Sequence, residues 1–183
     1  TLSAIKLERT RAAALYQSTP QTIAAPREQF IQETGEALYA AIILCYAQGL
    51  SMLHHASIEL KMEIPLKDVV KIWRGGCIIR ASLLETFYRA FSQHSALTSI
   101  LQDEAIAAIT RKTIPALRKV TVAALQAGIP APALSSALGY FDAYTCERLP
   151  TNLLQAQRDY FGAHTYERID REGKFHTEWG GNG

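Results

Sequence analysis

The feature that most constrains the fold is the stretch from Pro26 to about Met62, which contains no further proline until Pro65 and is interrupted only by Gly35 and Gly49. Apolar residues recur along one side of it at helical spacing. Its middle is apolar all round, because four more large side chains fill the remaining faces: Tyr39, Ile43, Leu44 and Tyr46. At about 1.5 Å per residue this helix would exceed about 50 Å. A helix that is apolar on every face is normally buried between others, so we predict a long, buried central helix.

The rest of the chain also has helical rather than strand periodicity. Helices are predicted over residues 1 to about 18, 66–73, 78 to about 92, 99 or 103 to 112, 114–127 and 133–148. Pro150-Thr-Asn152 is expected to cap a last helix that runs into Phe161. No alternating stretch predicts a strand with any strength. The sequence therefore predicts an all-α, multi-helix domain over residues 1–152, followed by a terminal helix and extended tail over 153–183.

Composition and charge exclude several classes of function. The 183 residues are 48% hydrophobic and 20% charged, with a formal charge of +2, which is too small to favour nucleic acid or a membrane surface. The most apolar run, Ala37 to Ala47, is shorter than the roughly 18 residues of a membrane span. The first residues do not resemble a signal peptide. We expect a cytoplasmic protein in which any anion site is local.

The three cysteines, Cys45, Cys77 and Cys146, lie far apart and form no Cys-x-x-Cys pair. An odd number at this spacing favours a reducing compartment over a disulfide framework. We expect buried, free thiols.

Two side chains near the end of the chain, Arg158 and His164, are the strongest candidates for a binding site. On an unbroken helix they would face about 120° apart and lie about 9 Å apart along the axis. Gly162 lies between them, and a glycine can end a helix in the left-handed conformation, which would bring His164 back beside Arg158. A guanidinium fork next to an imidazole suits a phosphate or a carboxylate. The alternatives are a surface ion pair of Arg158 with Asp159 or Glu167, and a capping or core role for His164.

The remaining candidates have simpler explanations. His54 and His55 diverge by about 100° on a helix and cannot share an ion without a third ligand, so we predict no metal site. His94 and His176 are expected to be surface or packing residues.

Further polar and aromatic residues also have structural explanations. Arg74 and Arg80, which flank Gly75-Gly76, are expected to form salt bridges. Tyr160 and Phe161 are expected to anchor the tail.

Several segments together resemble a known family. They are Tyr46-Ala-Gln-Gly49, Ile72-Trp-Arg-Gly-Gly-Cys-Ile-Ile-Arg-Ala81, Gly128-Ile-Pro130, Leu149-Pro-Thr-Asn-Leu153, Gln155-Ala-Gln-Arg-Asp-Tyr-Phe-Gly-Ala-His-Thr-Tyr-Glu167 and Phe175-His-Thr-Glu-Trp179. This text resembles the second half of the helical domain and the C-terminal tail of the decarboxylating 6-phosphogluconate dehydrogenases.

The resemblance implies a function and two site residues. Members of the family oxidise 6-phosphogluconate with NADP and release carbon dioxide to give ribulose 5-phosphate, in the pentose phosphate pathway. They are homodimers, and the helical domain makes most of the interface. By resemblance, Arg158 grips the substrate 6-phosphate and His164 helps to hold the substrate, both in the partner subunit's active site. The catalytic base and acid and the NADP-binding domain precede the matched region in the family, so this chain alone is expected to be inactive.

Two alternatives stay open. One is a stand-alone, non-catalytic helical module for dimerisation or scaffolding. The other is a different hydroxyacid dehydrogenase with a related helical domain, although the tail text argues against it.

Overall fold

The computed structural model describes residues 2–180, and in this range the chain is all-α apart from one very short hairpin. The helices are α1 (Lys6–Tyr16), α2 (Arg27–Glu59), α3 (Leu66–Arg74), α4 (Leu83–Gln93), α5 (Glu104–Gln126), α6 (Pro132–Tyr144) and α7 (Asn152–Gly162), with 3-10 turns at Leu2–Ala4 and Ile100–Gln102. The strands β1 (Tyr166–Glu167) and β2 (Lys174–Phe175) pair antiparallel, Tyr166 opposite Phe175. The predicted fold class is confirmed.

The chain divides into two compact units, and the boundary between them falls in the sequence between Asp142 and Ala143. The predicted functional division into residues 1–152 and 153–183 stays a prediction, and its outer limits at residues 1 and 181–183 lie outside the described range.

The long helix α2 organises the first unit, as its sequence predicts. Its C-terminal half packs with α3, α4 and the start of α5 around Phe87, which is fully buried. Its N-terminal half packs with α5 and α6 around Leu44 and Leu117. One helix therefore carries both apolar clusters of the first unit.

The expectation that α2 is buried on every face is only partly met. Its buried residues lie along one side, whereas Leu38, Tyr39, Ile42 and Met52 are more than a third exposed. By length and composition α2 is also the one helix in the described range that could cross a membrane, a test that core helices of soluble proteins pass as well.

Helix α5 is continuous where two helices were predicted. Pro115 lies inside it, although proline has no N–H to donate and normally ends or kinks a helix at a cost of about 3 kcal/mol. The residues around it, Ile114, Ala116 and Leu117, are all buried. Tertiary packing on both sides of Pro115 holds the helix together.

Three other expectations from the sequence are wrong in detail. Helix α4 starts at Leu83 rather than at residue 78, and Ile78 is fully exposed. The segment before α4 is held instead by the Tyr46 hydroxyl, which donates to the carbonyl of Ile79. Helix α6 ends at Tyr144 rather than at residue 148. The three cysteines are free, as predicted, but exposed rather than buried.

The second unit consists of α7 and the hairpin. Among its described residues, 143–180, only Asp159 is buried. Its most exposed large apolar side chains are Leu153, Phe161 and Ile169. This unit is organised by a carboxylate rather than by an apolar core.

Candidate functional site

The Asp159 side chain is the structural centre of the tail. Its Oδ1 accepts hydrogen bonds from the Thr165 N–H at 3.0 Å and from Nδ1 of His176 at 2.9 Å. Its Oδ2 accepts from the Thr177 N–H at 2.9 Å and from Nε1 of Trp179 at 3.0 Å. The carboxylate is completely buried. One residue of α7 is thus hydrogen-bonded both to the segment that follows the helix and to the far end of the tail.

These contacts set the protonation of the pair. Burial by itself would raise the pKa of Asp159, but the hydrogen bonds from Thr177, His176 and Trp179, together with the charge on His176, outweigh it and lower the pKa to about 2. The same carboxylate raises the pKa of His176 above its ordinary value of 6.5. Asp159 is therefore a carboxylate at every physiological pH.

The end of α7 turns in a way the sequence did not predict. Gly162 is the last helical residue, and the left-handed position falls on Ala163 (φ 48°), with a second one at Thr165 (φ 63°). Each such position costs a residue with a side chain about 1 kcal/mol or more. The Ala163 N–H donates to the Asp159 carbonyl at 2.8 Å. The chain turns within one residue of where it was expected to, but not at the glycine.

Gly162 has a different role, which concerns the imidazole of His164. A Cβ built on Gly162 would come within 2.9 Å of Nε2 and 3.0 Å of Cδ2 of that ring. The ring therefore folds back over the last residue of the helix. Any side chain at position 162 would displace it.

Arg158 and His164 line the same open cleft, which has a volume of about 930 Å³. The walls come from the segment before α7, from one side of α7 and from the hairpin; besides the pair they include Arg148, Thr151, Gln155, Thr165, Arg168, Asp170, Lys174 and Trp179. The predicted turn after α7 is present, and both side chains line one cleft. That His164 lies beside Arg158 stays a prediction.

Two of the three arginines that line the cleft, Arg158 and Arg168, differ in their partners. Arg168 donates from Nε and Nη2 to the two oxygens of Asp170, at 2.7 and 2.6 Å. Arg158 is exposed, and its Nη1 donates a long hydrogen bond, 3.5 Å, to Oε1 of Gln155. Within residues 2–180 no carboxylate forms an ion pair with Arg158, although Asp159 is its neighbour in sequence. The Arg158 fork is therefore available to an anion in the cleft.

The sequence alternative of an Arg158–Asp159 ion pair fails because the two side chains leave α7 in different directions. Asp159 points into the unit and Arg158 into the cleft. His176, expected to be a surface or packing residue, is a surface residue that also hydrogen-bonds to Asp159. No pattern in the sequence indicated this cluster, because three of the four donors to Asp159 lie 17 to 20 positions away, just after β2. That spacing has no helical or strand period.

Other sequence candidates have structural roles. Arg74 forms the predicted salt bridge, with Glu85 at 2.5 Å. Tyr160 meets the predicted anchoring role through an edge-to-face contact with Trp179 at 5.8 Å. Phe161 is three-quarters exposed and contacts Tyr160. Across the described residues, no group of three or more His, Cys, Asp or Glu is placed to hold a metal ion.

Comparison with known proteins places this fold and tail among the C-terminal domains of sugar-acid dehydrogenases. The family model "6-phosphogluconate dehydrogenase, C-terminal domain" matches residues 1–179, and the chain belongs to the 6-phosphogluconate dehydrogenase family. Similar proteins include the decarboxylating 6-phosphogluconate dehydrogenase of Lactococcus lactis, 43% identical over 97% of this chain, and the NADP(+)-dependent, decarboxylating enzyme of Bacillus subtilis, also 43% identical over 97%.

A solved structure agrees with the family assignment. Plasmodium falciparum 6-phosphogluconate dehydrogenase, studied in its apo form and in complex with NADP+ and with 6-phosphogluconate, superposes with a TM-score of 0.90 at 38% identity over 97% of this chain. The chain spans 38% of the length of each of these three relatives.

Proposed function

We propose that this chain is the C-terminal part of a decarboxylating, NADP-dependent 6-phosphogluconate dehydrogenase, and that it supplies the substrate-binding residues Arg158 and His164. The whole enzyme oxidises 6-phosphogluconate and releases carbon dioxide, giving ribulose 5-phosphate and NADPH. The observation that carries the proposal is the Arg158 guanidinium, which forms no ion pair with a carboxylate of residues 2–180 and shares a cleft with His164 in a chain 43% identical to such enzymes.

The chemistry of the cleft supports an anionic sugar as its ligand. A guanidinium offers two parallel N–H donors to a phosphate, and these charge-assisted bonds are the strong ones. The imidazole of His164 adds a donor or acceptor beside the fork. The polar walls suit the hydroxyl groups between a phosphate and a carboxylate.

NADP is assigned to the part of the enzyme that precedes this chain in the family. A dinucleotide site needs a strand that leads through a glycine-rich turn into a helix. In residues 2–180 the two strands have two residues each, and neither leads into a helix. These residues do not fit the cofactor, and their role is to bind the substrate.

The second unit supports a role at a subunit interface. It has fewer than 40 described residues, its one buried residue is a carboxylate, and Leu153, Phe161 and Ile169 are largely exposed. Units of this size rarely bury enough apolar surface to be stable alone. We propose a homodimer in which this unit lies on the partner subunit, so that each active site is completed by the other chain and a separated monomer is inactive. A cytoplasmic location is part of the same proposal.

Arg158→Ala in the complete enzyme tests the assignment. Loss of two charge-assisted hydrogen bonds, about 3 kcal/mol together, is expected to raise the KM for 6-phosphogluconate about 100-fold while the KM for NADP stays within twofold. Arg171→Ala is the matched control, because Arg171 stacks on Phe175 at 4.8 Å and is not among the residues lining the cleft. An unchanged KM for 6-phosphogluconate in Arg158→Ala would refute the role of Arg158.

A further inference from the structure

His164 lies in a loop that its own sequence does not favour. Its two neighbours, Ala163 and Thr165, both have left-handed backbones, with φ of 48° and 63°. This conformation is uncommon for residues with a side chain, and for a β-branched one such as Thr165 it is an outlier. Such a loop persists only where surrounding contacts hold it.

Both holding contacts come from Asp159. Its backbone carbonyl accepts the Ala163 N–H at 2.8 Å, and its carboxylate Oδ1 accepts the Thr165 N–H at 3.0 Å. One residue on α7 therefore closes the chain on either side of His164. The second contact depends on the carboxylate, whereas the first is an ordinary helix-end bond.

The carboxylate is itself fixed from the far end of the tail. His176 shares Oδ1, while Thr177 and Trp179 hold Oδ2, all within 3.0 Å. Because the carboxylate is buried and fully hydrogen-bonded, it cannot rotate away without leaving several donors unpaired. The carboxylate is therefore held in a fixed position, and the loop around His164 is hydrogen-bonded to it through the Thr165 N–H.

We propose that Asp159 is the positioning residue for His164: its carboxylate holds the strained loop so that the imidazole lies over Gly162 and faces the cleft. The proposal rests on the proposed function for its kinetic consequence, since His164 must contact the substrate for a displaced ring to matter. Asp159 acts through His164 and does not itself reach the substrate.

A double-mutant cycle in the complete enzyme tests this. His164→Ala is expected to raise the KM for 6-phosphogluconate about tenfold. Asp159→Asn keeps the shape of the side chain but turns an amide nitrogen toward two of the four donors, and it is expected to raise the same KM to a similar extent. In the His164→Ala background, Asp159→Asn is expected to change the KM by less than twofold. An equal effect in both backgrounds would overturn the proposal.

Asp142→Asn is the matched control. It makes the same substitution in a carboxylate that pairs with Arg118 outside the tail, and it is expected to leave the KM unchanged. The KM for NADP and the dimer mass, measured by sedimentation, check that the Asp159 variant is folded.

A second variant removes only the hydrogen bond from the Thr165 N–H to Oδ1 of Asp159. Cys146 is exposed and offers a native ligation junction, so the tail can be made synthetically with an ester in place of the amide at Thr165. This deletes the Thr165 N–H and leaves Asp159 and its other partners intact. The KM is expected to approach the His164→Ala value. Where His164→Ala raises the KM, a wild-type KM in this ester variant would overturn the proposal even if Asp159→Asn fails to fold.

A crystal structure of the ester variant distinguishes the positioning of His164 by Asp159 from the binding of substrate by His164. If His164→Ala leaves the KM unchanged, substrate binding by His164 is wrong, and the ring position then decides the positioning role. A ring displaced by more than about 1 Å from its place over Gly162 supports the role. A ring that has not moved overturns it.

Discussion

The imidazole of His164 lies directly over the α-carbon of Gly162, where a Cβ would approach Nε2 to 2.9 Å. Gly162 is helical and has no left-handed backbone angle. Glycine therefore matters here because it has no side chain, not because its backbone can adopt unusual conformations. The end of α7 and the His164 ring therefore pack closely because residue 162 has no side chain.

Gly162→Ala should therefore separate stability from binding. Alanine favours a helix over glycine by about 0.5–1 kcal/mol, so the melting temperature of the complete enzyme is expected to hold or rise slightly. The added methyl group displaces the His164 ring, and the KM for 6-phosphogluconate is expected to rise about tenfold. Steady-state kinetics and thermal unfolding measure the two effects.

Gly139→Ala is the control for this variant, because it is also helical and a Cβ there meets nothing within 4 Å. It is expected to give the same gain in helix stability with no change in KM. If Gly162→Ala binds substrate as tightly as Gly139→Ala, the position of the His164 ring does not matter for binding.

Arg158→Lys tests whether geometry or charge dominates in the cleft. Lysine keeps the positive charge but replaces the planar fork by a single, flexible ammonium group. We expect the KM for 6-phosphogluconate to rise about tenfold, between wild type and the Arg158→Ala variant. Substrate titration at two salt concentrations measures the affinity and its screening. A KM equal to that of Arg158→Ala would mean that the charge alone contributes nothing.

The Asp159–His176 pair predicts how the order of the tail depends on pH. The pKa of Asp159 is lowered to about 2, so its stabilising contribution is full above its unfolded value near 4 and is lost as the pH falls toward 2. The pKa of His176 is raised above 6.5, so its contribution is full below pH 6.5 and is lost as the pH rises through the raised value. The tail is expected to be most ordered between about pH 4 and 6.5.

Hydrogen exchange of the Thr165 and Thr177 amides, corrected for the intrinsic dependence of exchange on pH, measures this order. Protection is expected to fall on the alkaline side. His176→Gln is expected to remove the alkaline change and keep the acid one. A pH-independent protection between 5 and 9 in the wild-type protein would contradict the coupling of the two groups.

Thr121 offers a test of stability away from the site. Its hydroxyl is buried and has no hydrogen-bond partner within the described residues, and an unpaired buried hydroxyl costs about 1–3 kcal/mol. Thr121→Val, which has nearly the same shape, is expected to stabilise the protein by about 1 kcal/mol in chemical denaturation. In the control Thr110→Val the lost hydroxyl donates to the Ile106 carbonyl at 2.8 Å, and no gain is expected.

Sequence reasoning predicted the helices well where one strong pattern acted over many residues. Helix α2 is the clearest example, because its 33 residues contain no proline and their apolar side chains recur at helical spacing. It failed at Pro115, where local chemistry predicts a break but buried neighbours on both sides keep α5 continuous. A long-range packing energy cannot be recovered from the local pattern around one residue.

The candidate site, too, was predicted from the sequence only in part. Arg158 and His164 were predicted, from their chemistry and from a family resemblance, and they line one cleft. The residue that organises their surroundings, Asp159, was considered only as an ion-pair partner. Its four donors lie just before and just after a hairpin whose turn and register no simple periodicity encodes. Polar clusters formed across a tail depend on tertiary geometry that sequence spacing does not report.

Three of the donors to Asp159 lie 17 to 20 residues after it in the sequence, and this order has a consequence for biosynthesis. A ribosome completes α7 well before it adds His176, Thr177 and Trp179, so the nascent helix carries a carboxylate whose final partners do not yet exist. The loop around His164 can become fixed only when the last donors have emerged. A chain cut short by a premature stop between His164 and Thr177 would keep Arg158 and His164 in its sequence but would lack the two donors, Thr177 and Trp179, that hold Oδ2 of Asp159.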